Sequence, residues 1–317
     1  MRILLMYGFA DPSPGHVARL RALDGRLDVV VAGNEAEAVE LAPDAEVILG
    51  HRYLRQCLPR AGRLRWVQST SGGVDRLPCD LLARRGVKLT RVTLFAPVIA
   101  THAVAMAWAL ARALPQSLAN QRDNKWEPRL PFLPPPRRAL VLGAGAIGRE
   151  IARCLRAQEI HVSIVKRTPE EPGRIGCDEV FATAAWREAL PRTDWCFLAL
   201  PLTPGTRGIF DAEAIRALPS HAVLVNVGRA ETLDQAALRD ALAADRLGGA
   251  GLDVVDPSPP DPGDPLWTSP RCILTPHVAA HDPHRQEAIE AFFEAQVAAY
   301  LRGEPLSDEV PLGGETG

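Results

Sequence analysis

The chain predicts an α/β protein built from two doubly wound parallel-sheet domains, and two observations carry that expectation. Short apolar runs alternate with helix-like stretches along nearly the whole length, and one run, Arg138 to Leu142, leads into Gly143-Ala144-Gly145-Ala146-Ile147-Gly148 and then a helix-like Arg149 to Leu155. Such alternation favours parallel strands joined by crossover helices, which cover both faces of the sheet.

In order, the strand candidates of the first part are Ile3 to Tyr7, Val29 to Ala32, Val47 to Gly50, Leu64 to Gln68 and Val87 to Thr90. Helical patterns lie between them at His16 to Leu23 and Glu35 to Leu41, so residues 1–98 form one α/β unit. After Pro97 comes an Ala-rich stretch of good helix propensity, Ile99 to Leu114, and a polar, proline-rich connection through Trp126 to Pro136. A second unit begins at Arg138 and continues with strand candidates at His161 to Val165, Trp195 to Leu200, Ala222 to Val227, Gly249 to Leu252 and Cys272 to Thr275. Ala212 to Leu218 and Leu233 to Ala244 read as its later helices, and Asp256 to Pro265, dense in Pro and Asp, as one irregular loop. The last helix candidate, Arg285 to Leu301, meets a stop at Arg302-Gly303-Glu304-Pro305 and a polar tail rich in Gly and Pro.

Each glycine of the triplet has a physical requirement: tight turning, close backbone approach to a pyrophosphate, and packing of the helix whose N-terminus faces that charge. Gly143, Gly145, Ala146, Ile147 and Gly148 are therefore expected to hold a dinucleotide. At the end of the following strand an NAD-preferring site places Asp or Glu against the ribose hydroxyls, whereas this chain reads Lys166-Arg167-Thr168. A carboxylate would repel a 2′-phosphate and a guanidinium can grip one, so NADP is expected over NAD.

Composition sets bounds on partners. With 317 residues, 47% hydrophobic and 23% charged, the chain can build two cores, and a formal net charge of −2 gives no electrostatic case for nucleic acid or an anionic membrane. The six cysteines are widely spaced with no Cys-x-x-Cys, which argues against a zinc ribbon or a disulfide scaffold and for a cytoplasmic protein. The apolar N-terminal stretch is too short for a signal segment or a membrane span.

Three further segments bear on chemistry. Ala222 to Ala230 is a buried strand that delivers Arg229 at its C-terminal end, and Leu274-Thr275-Pro276-His277 delivers a histidine in the same way. Ligands bind at those ends in open α/β sheets. Gln68 to Asp75 puts Gly72-Gly73 after a strand of the first unit, where bare amides can meet an anion. An Arg and a His beside a nicotinamide are what carbonyl reduction needs, a fork for carboxylate and carbonyl and a proton donor for the developing alkoxide.

Taken in this order, Gln68-Ser69-Thr70-Ser71-Gly72-Gly73-Val74-Asp75, the Gly143 loop, Pro201-Leu202-Thr203-Pro204-Gly205-Thr206, Asn226-Val227-Gly228-Arg229, Gly251-Leu252-Asp253-Val254 and Thr275-Pro276-His277 give a chain that resembles the D-2-hydroxyacid dehydrogenases. In character it is similar to the glyoxylate/hydroxypyruvate reductases. The resemblance implies a flavodoxin-like substrate domain at 1–98 and 284–317, a Rossmann cofactor domain at 99–283 inserted into it, and a homodimer in which the Ala-rich helix and its following arm pack. It implies that the Gly72 and Gly73 amides hold the substrate carboxylate, that Arg229 grips carboxylate and carbonyl, and that His277 protonates the oxygen. It also implies that Asp253 orients the nicotinamide amide and that Pro201, Leu202, Thr206, Val227 and Gly228 line the cofactor.

One departure matters. The family's His has a Glu partner in a segment that would read Asp-Val-x-Asp-Pro-Glu-Pro, and this chain reads Asp253-Val254-Val255-Asp256-Pro257-Ser258-Pro259. Either Asp256 or Asp261 substitutes, or His277 works unassisted, or the chemistry is lost and a nucleotide-binding sensor or scaffold dimer remains. Two smaller departures are Thr101 for a frequent Glu and Ala230 for a usual Gly. His277, His281 and His284 have a spacing that suits a metal, but Pro276 and Pro283 interrupt the helix it would need, so no metal is expected. His51 and Tyr53 either face the cleft or lie on a surface loop. Ser69 to Ser71 lack a nucleophile elbow and read as turn residues.

Overall fold

The computed structural model describes residues 1–168 and 170–312; Pro169 and the last part of the expected substrate domain, residues 313–317, lie outside the described residues. The chain divides into two compact units, Met1–Leu94 with the segment from Asp282 onward, and Phe95–His281.

The first unit carries five parallel strands, β1 (Arg2–Leu5), β2 (Asp28–Val31), β3 (Ala45–Leu49), β4 (Trp66–Gln68) and β5 (Lys88–Thr90), in the order β2-β1-β3-β4-β5. That order reverses between β1 and β3, as in flavodoxin-like sheets. The strands are buried on both faces, with Ile3, Leu4, Val47, Ile48, Trp66, Val67 and Leu89 inaccessible. Helix starts carry their own punctuation. Ser13 accepts from the His16 amide, and Asn34 accepts from the Glu37 amide while Glu37 returns a carboxylate to the Gly33 N–H. The C-terminal helix Arg285–Leu301 belongs to this unit and buries Ile289, Phe293 and Val297. Its Glu294 accepts from the fully buried His16, whose other nitrogen meets the Tyr7 hydroxyl at 2.7 Å. Burial, reinforced by Glu290 and Glu294, raises the Tyr7 hydroxyl far above its ordinary range.

The second unit is a seven-stranded, all-parallel sheet: β6 (Arg138–Leu142), β7 (His161–Lys166), β8 (Glu179–Ala182), β9 (Trp195–Leu198), β10 (Val223–Asn226), β11 (Gly249–Leu252) and β12 (Cys272–Leu274). The order is β12-β11-β10-β9-β6-β7-β8, with reversal between β6 and β9. This is the doubly wound dinucleotide-binding topology with one strand added at the β12 edge. β8 has no counterpart among the expected strands. It pairs with β7 alone, its apolar run is only Val180-Phe181-Ala182, and none of its residues is fully buried, as befits an edge strand.

The Ala-rich helix spans Ala96–Ala111, earlier than the expected Ile99 to Leu114, because Pro97 sits in its first turn, where no intrahelical N–H is required. It stops where Ala113 turns left-handed at φ 50°, and a second helix, Leu114–Arg122, follows where a connection was expected. The helix therefore belongs whole to the second unit, whose start falls at Phe95 and not at 99. The far boundary lies between His281, whose amide bonds back to Val278, and Asp282, whose carboxylate accepts from the His284 amide just ahead of the C-terminal helix. Among the described residues no single helix is long and apolar enough to cross a membrane, and all six cysteines are unpaired.

Candidate active site

Six candidate segments follow the C-terminal ends of parallel strands in one sheet: Gly143 after β6, Lys166 at the end of β7, Pro201 beyond β9, Arg229 beyond β10, Asp253 after β11 and His277 beyond β12. Because every strand runs the same way, these segments share one edge of the sheet.

The glycine cradle is sterically dictated. Gly143 takes φ 115° and an added Cβ would stand 2.6 Å from the Ala199 carbonyl oxygen; a Cβ at Gly148 would stand 1.8 Å from the Gly143 oxygen. Gly145 is different: nothing lies within 4 Å of the place its Cβ would occupy. It caps the helix Ala146–Arg156 without a side-chain hydrogen bond, and among the described residues the amides of Ala146, Ile147 and Gly148 have no partner. Three first-turn donors and an open approach at Gly145 fit a dinucleotide pyrophosphate.

At the end of β7, Arg167 and Thr168 are exposed, and Lys166 is already ion-paired with Glu170 four residues on. The Lys166 hydrogen bond holds the Glu170 carboxyl below its ordinary range. A carboxylate thus stands near this strand end after all, four residues beyond Lys166. The loop from Pro201 closes on itself, with Thr206 Oγ1 donating to the Pro201 carbonyl at 2.6 Å and accepting from the Thr203 amide at 2.8 Å. That hydroxyl shapes the loop.

Beyond β10, the buried Asn226 accepts from the Gly228 amide and donates to the Arg229 carbonyl, each at 3.0 Å. A Cβ at Gly228 would meet the Leu200 oxygen at 2.7 Å, so the loop lies tight against the end of the β9 segment beside Val227. Arg229 is half-buried, and its guanidinium donates to the Gly228 carbonyl at 2.9 Å. Asn226 stands in the sequence reading only within the Asn226-Val227-Gly228-Arg229 motif, and its bonds to the Arg229 loop give it a structural part of its own. Its signal is an amide side chain inside an otherwise apolar strand.

Asp253 and His277 are brought together through the backbone. The Asp253 carboxylate, 3% exposed, accepts from Thr275 Oγ1 at 2.6 Å, the Val278 amide at 2.9 Å and the Ala279 amide at 3.1 Å. The His277 amide bonds to the Asp253 carbonyl at 3.0 Å, and His277 sits at φ 56°, a left-handed conformation that a histidine holds only when its surroundings enforce it. Asp253 therefore clamps the histidine turn; the role toward a nicotinamide amide that the resemblance implies falls on a carboxylate the chain already uses. The His277 ring is exposed, and among the described residues no carboxylate bonds to it. Ser258 and Asp256 are exposed, the Asp256 amide bonds to Gln235, and the Asp261 carbonyl accepts from Trp267. Among the described residues neither Asp256 nor Asp261 bonds to the His277 ring. Among the described residues no group of three His, Cys, Asp or Glu side chains is gathered to hold a metal ion.

In the first unit, the amides of Gly72 and Gly73 have no partner among the described residues. The loop before them is fixed by Ser69 Oγ, which accepts from the Ser71 amide and meets His51 Nδ1 at 3.2 Å. Burial pushes His51 toward the neutral ring, which suits a nitrogen that also accepts from the Thr70 amide.

The family model described as D-isomer specific 2-hydroxyacid dehydrogenase, NAD binding domain, matches residues 104–279, more than half of the chain. The chain belongs to the D-isomer specific 2-hydroxyacid dehydrogenases. Among curated relatives, human glyoxylate reductase/hydroxypyruvate reductase is 26% identical, with 95% of each chain covered. A D-isomer specific 2-hydroxyacid dehydrogenase family protein from Aeromonas salmonicida has TM-score 0.80 at 28% identity, covering 98% of this chain and 99% of that one. The NADPH-dependent glyoxylate/hydroxypyruvate reductase of Sinorhizobium meliloti, solved with NADP and sulfate, has TM-score 0.81 at 25% identity, with 98% of each chain covered. Membership makes this dehydrogenase an oxidoreductase with a nicotinamide dinucleotide domain and two parallel-sheet α/β units.

Proposed function

We propose that this dehydrogenase reduces a small 2-keto acid of the glyoxylate or hydroxypyruvate kind with NADP(H). The observation that supports it most is the placing of Arg229 and His277 on the same sheet edge as the glycine cradle. The Ala146, Ile147 and Gly148 amides would hold the pyrophosphate, and Lys166 and Arg167 the 2′-phosphate, with Lys166 exchanging Glu170 for it. When bound, the reduced nicotinamide supplies the hydride that goes to the keto carbon. Arg229 forks onto the substrate carboxylate and carbonyl, which neutralises charge developing on the oxygen. His277, as the acid, gives its proton to that oxygen and leaves as the neutral ring. The Gly72 and Gly73 amides are the first unit's proposed contribution to carboxylate binding.

Two features of the arm after the Ala-rich helix support a homodimer as the working form. Trp126 is 97% exposed, and Leu114, Leu118 and Phe132 on the same stretch are also exposed. Apolar side chains collected on one segment mark an interaction surface. A second reading, a nucleotide-binding sensor or scaffold dimer, is favoured by Ser258 and by a His277 ring to which no carboxylate bonds among the described residues. NADPH and NADH consumption with glyoxylate, hydroxypyruvate and bulkier 2-keto acids, followed by absorbance, separates the two. Turnover with kcat/KM higher for NADPH is expected; tight NADPH binding without turnover on any acid favours the sensor, and an NADH preference removes the 2′-phosphate assignment.

A further inference from the structure

His102 lies on the Ala96–Ala111 helix, and its Nε2 meets Thr275 Oγ1 at 3.0 Å. The same hydroxyl donates to Asp253 Oδ1 at 2.6 Å, so its lone pair is what faces His102, and the histidine nitrogen is the donor. Nε2 also lies 3.8 Å from Asp253 Oδ1. Asp253 in turn accepts from the Val278 and Ala279 amides, next along the chain from His277. A continuous chain of donors thus runs from the Ala-rich helix through Thr275 and Asp253 into the turn that carries the proposed acid.

We infer that His102 is a positioning residue of the hydride-transfer site, acting through Thr275 and Asp253 to fix the left-handed turn at His277. The inference rests on the reading of His277 as the acid. Where a Glu partner would steer the ring from its edge, this chain has Ser258, so ring placement falls on the backbone of residues 277–279. Asp253 holds that backbone, and Thr275 and His102 hold the Asp253 carboxylate. A network of this kind stiffens only if every member is satisfied. Withdrawing the His102 donor leaves the Thr275 hydroxyl able to rotate between its own backbone and Asp253, and the clamp loosens.

The test compares His102→Leu, Thr275→Val and His102→Gln with the unaltered enzyme, Gln because its amide nitrogen reaches about as far as Nε2. With NADPH and hydroxypyruvate, His102→Leu and Thr275→Val are expected to lose kcat by about tenfold or more while the NADPH dissociation constant holds within about twofold, since misplacement of a reacting group costs rate and not cofactor binding. His102→Gln is expected to restore kcat to within about threefold of the unaltered enzyme. Hydrogen exchange at the Val278 and Ala279 amides gives a readout independent of turnover, and should quicken about tenfold in His102→Leu and recover in His102→Gln. Exchange and kcat in His102→Leu equal to those of the unaltered protein overturn the inference. So does an equal loss in Leu and Gln variants that tracks melting temperature, which would make His102 a packing residue. His277→Ala separates the two levels: retained kcat there removes the acid assignment, and the exchange measurement still decides whether His102 holds the turn.

Discussion

Asp253→Asn is nearly isosteric and reads out the clamp directly. The carboxylate accepts three hydrogen bonds from Thr275, Val278 and Ala279 at 2.6–3.1 Å. An asparagine oxygen can replace Oδ1 toward Thr275 and Val278, but its NH2 then faces the Ala279 amide, donor against donor. One charge-assisted bond is lost, worth about 1.5–3 kcal/mol, and the other two weaken to neutral ones. At 3% exposure water does little to compensate, so the expected cost is about 2–4 kcal/mol. Differential scanning calorimetry should show the transition of the dinucleotide-binding unit lowered by about 5–10 °C. The turn at His277 loses its anchor at the same time, so kcat should fall on the order of a hundredfold. A transition within about 2 °C of the unaltered protein, with kcat within about threefold, would refute the clamp.

Other outcomes follow from the same geometry. Gly148→Ala puts a Cβ 1.8 Å from a backbone oxygen and should destabilise by about 3 kcal/mol or more, whereas Gly145→Ala, with nothing within 4 Å, should leave the melting temperature unchanged and weaken NADPH binding by about tenfold or more in a titration. Glu170→Gln frees Lys166 for a 2′-phosphate, so KM for NADPH should drop by about three- to tenfold while KM for NADH stays; equal change in both takes Lys166 out of the site. Ser258→Glu supplies a carboxylate that favours the charged imidazole, and because carbonyl reduction uses the proton-bearing form, the alkaline limb of the kcat/KM profile should move up by about one pH unit; an unmoved limb means that position 258 does not reach His277.

Much of this was legible because the relevant physics is local. Strand runs, Pro97 in the first turn of a helix, and the Gly143-to-Gly148 spacing each depend on neighbours a few residues away, and the cofactor-binding end of each strand follows from parallel topology alone. What escaped depends on side-chain geometry that composition does not show. Glu170 reaches back four residues to Lys166 and Asn226 stitches the Arg229 loop three residues on, while Asp253 serves a turn more than twenty residues further along. β8 escaped because its apolar run, Val180 to Ala182, is only three residues long, and Leu114–Arg122 because its polar composition reads as a connection.

A histidine acid needs two separate things, a ring held in place and a proton held on the ring. The Glu of the family resemblance would provide both through one carboxylate. In this chain they come apart: the place is set by φ 56° at His277 and by the Asp253 clamp beneath it, while no carboxylate bonds to the ring among the described residues. Placement sets how often a substrate meets the acid in line, and proton affinity sets the pH range over which the acid is charged. Loss of the Glu should therefore narrow the working range toward lower pH without removing the reaction, whereas loss of Asp253, Thr275 or His102 should depress the rate at every pH. Those two signatures are separable in one set of pH profiles, and that separation distinguishes an enzyme with a backbone-positioned acid from a protein that has kept the fold and lost the chemistry.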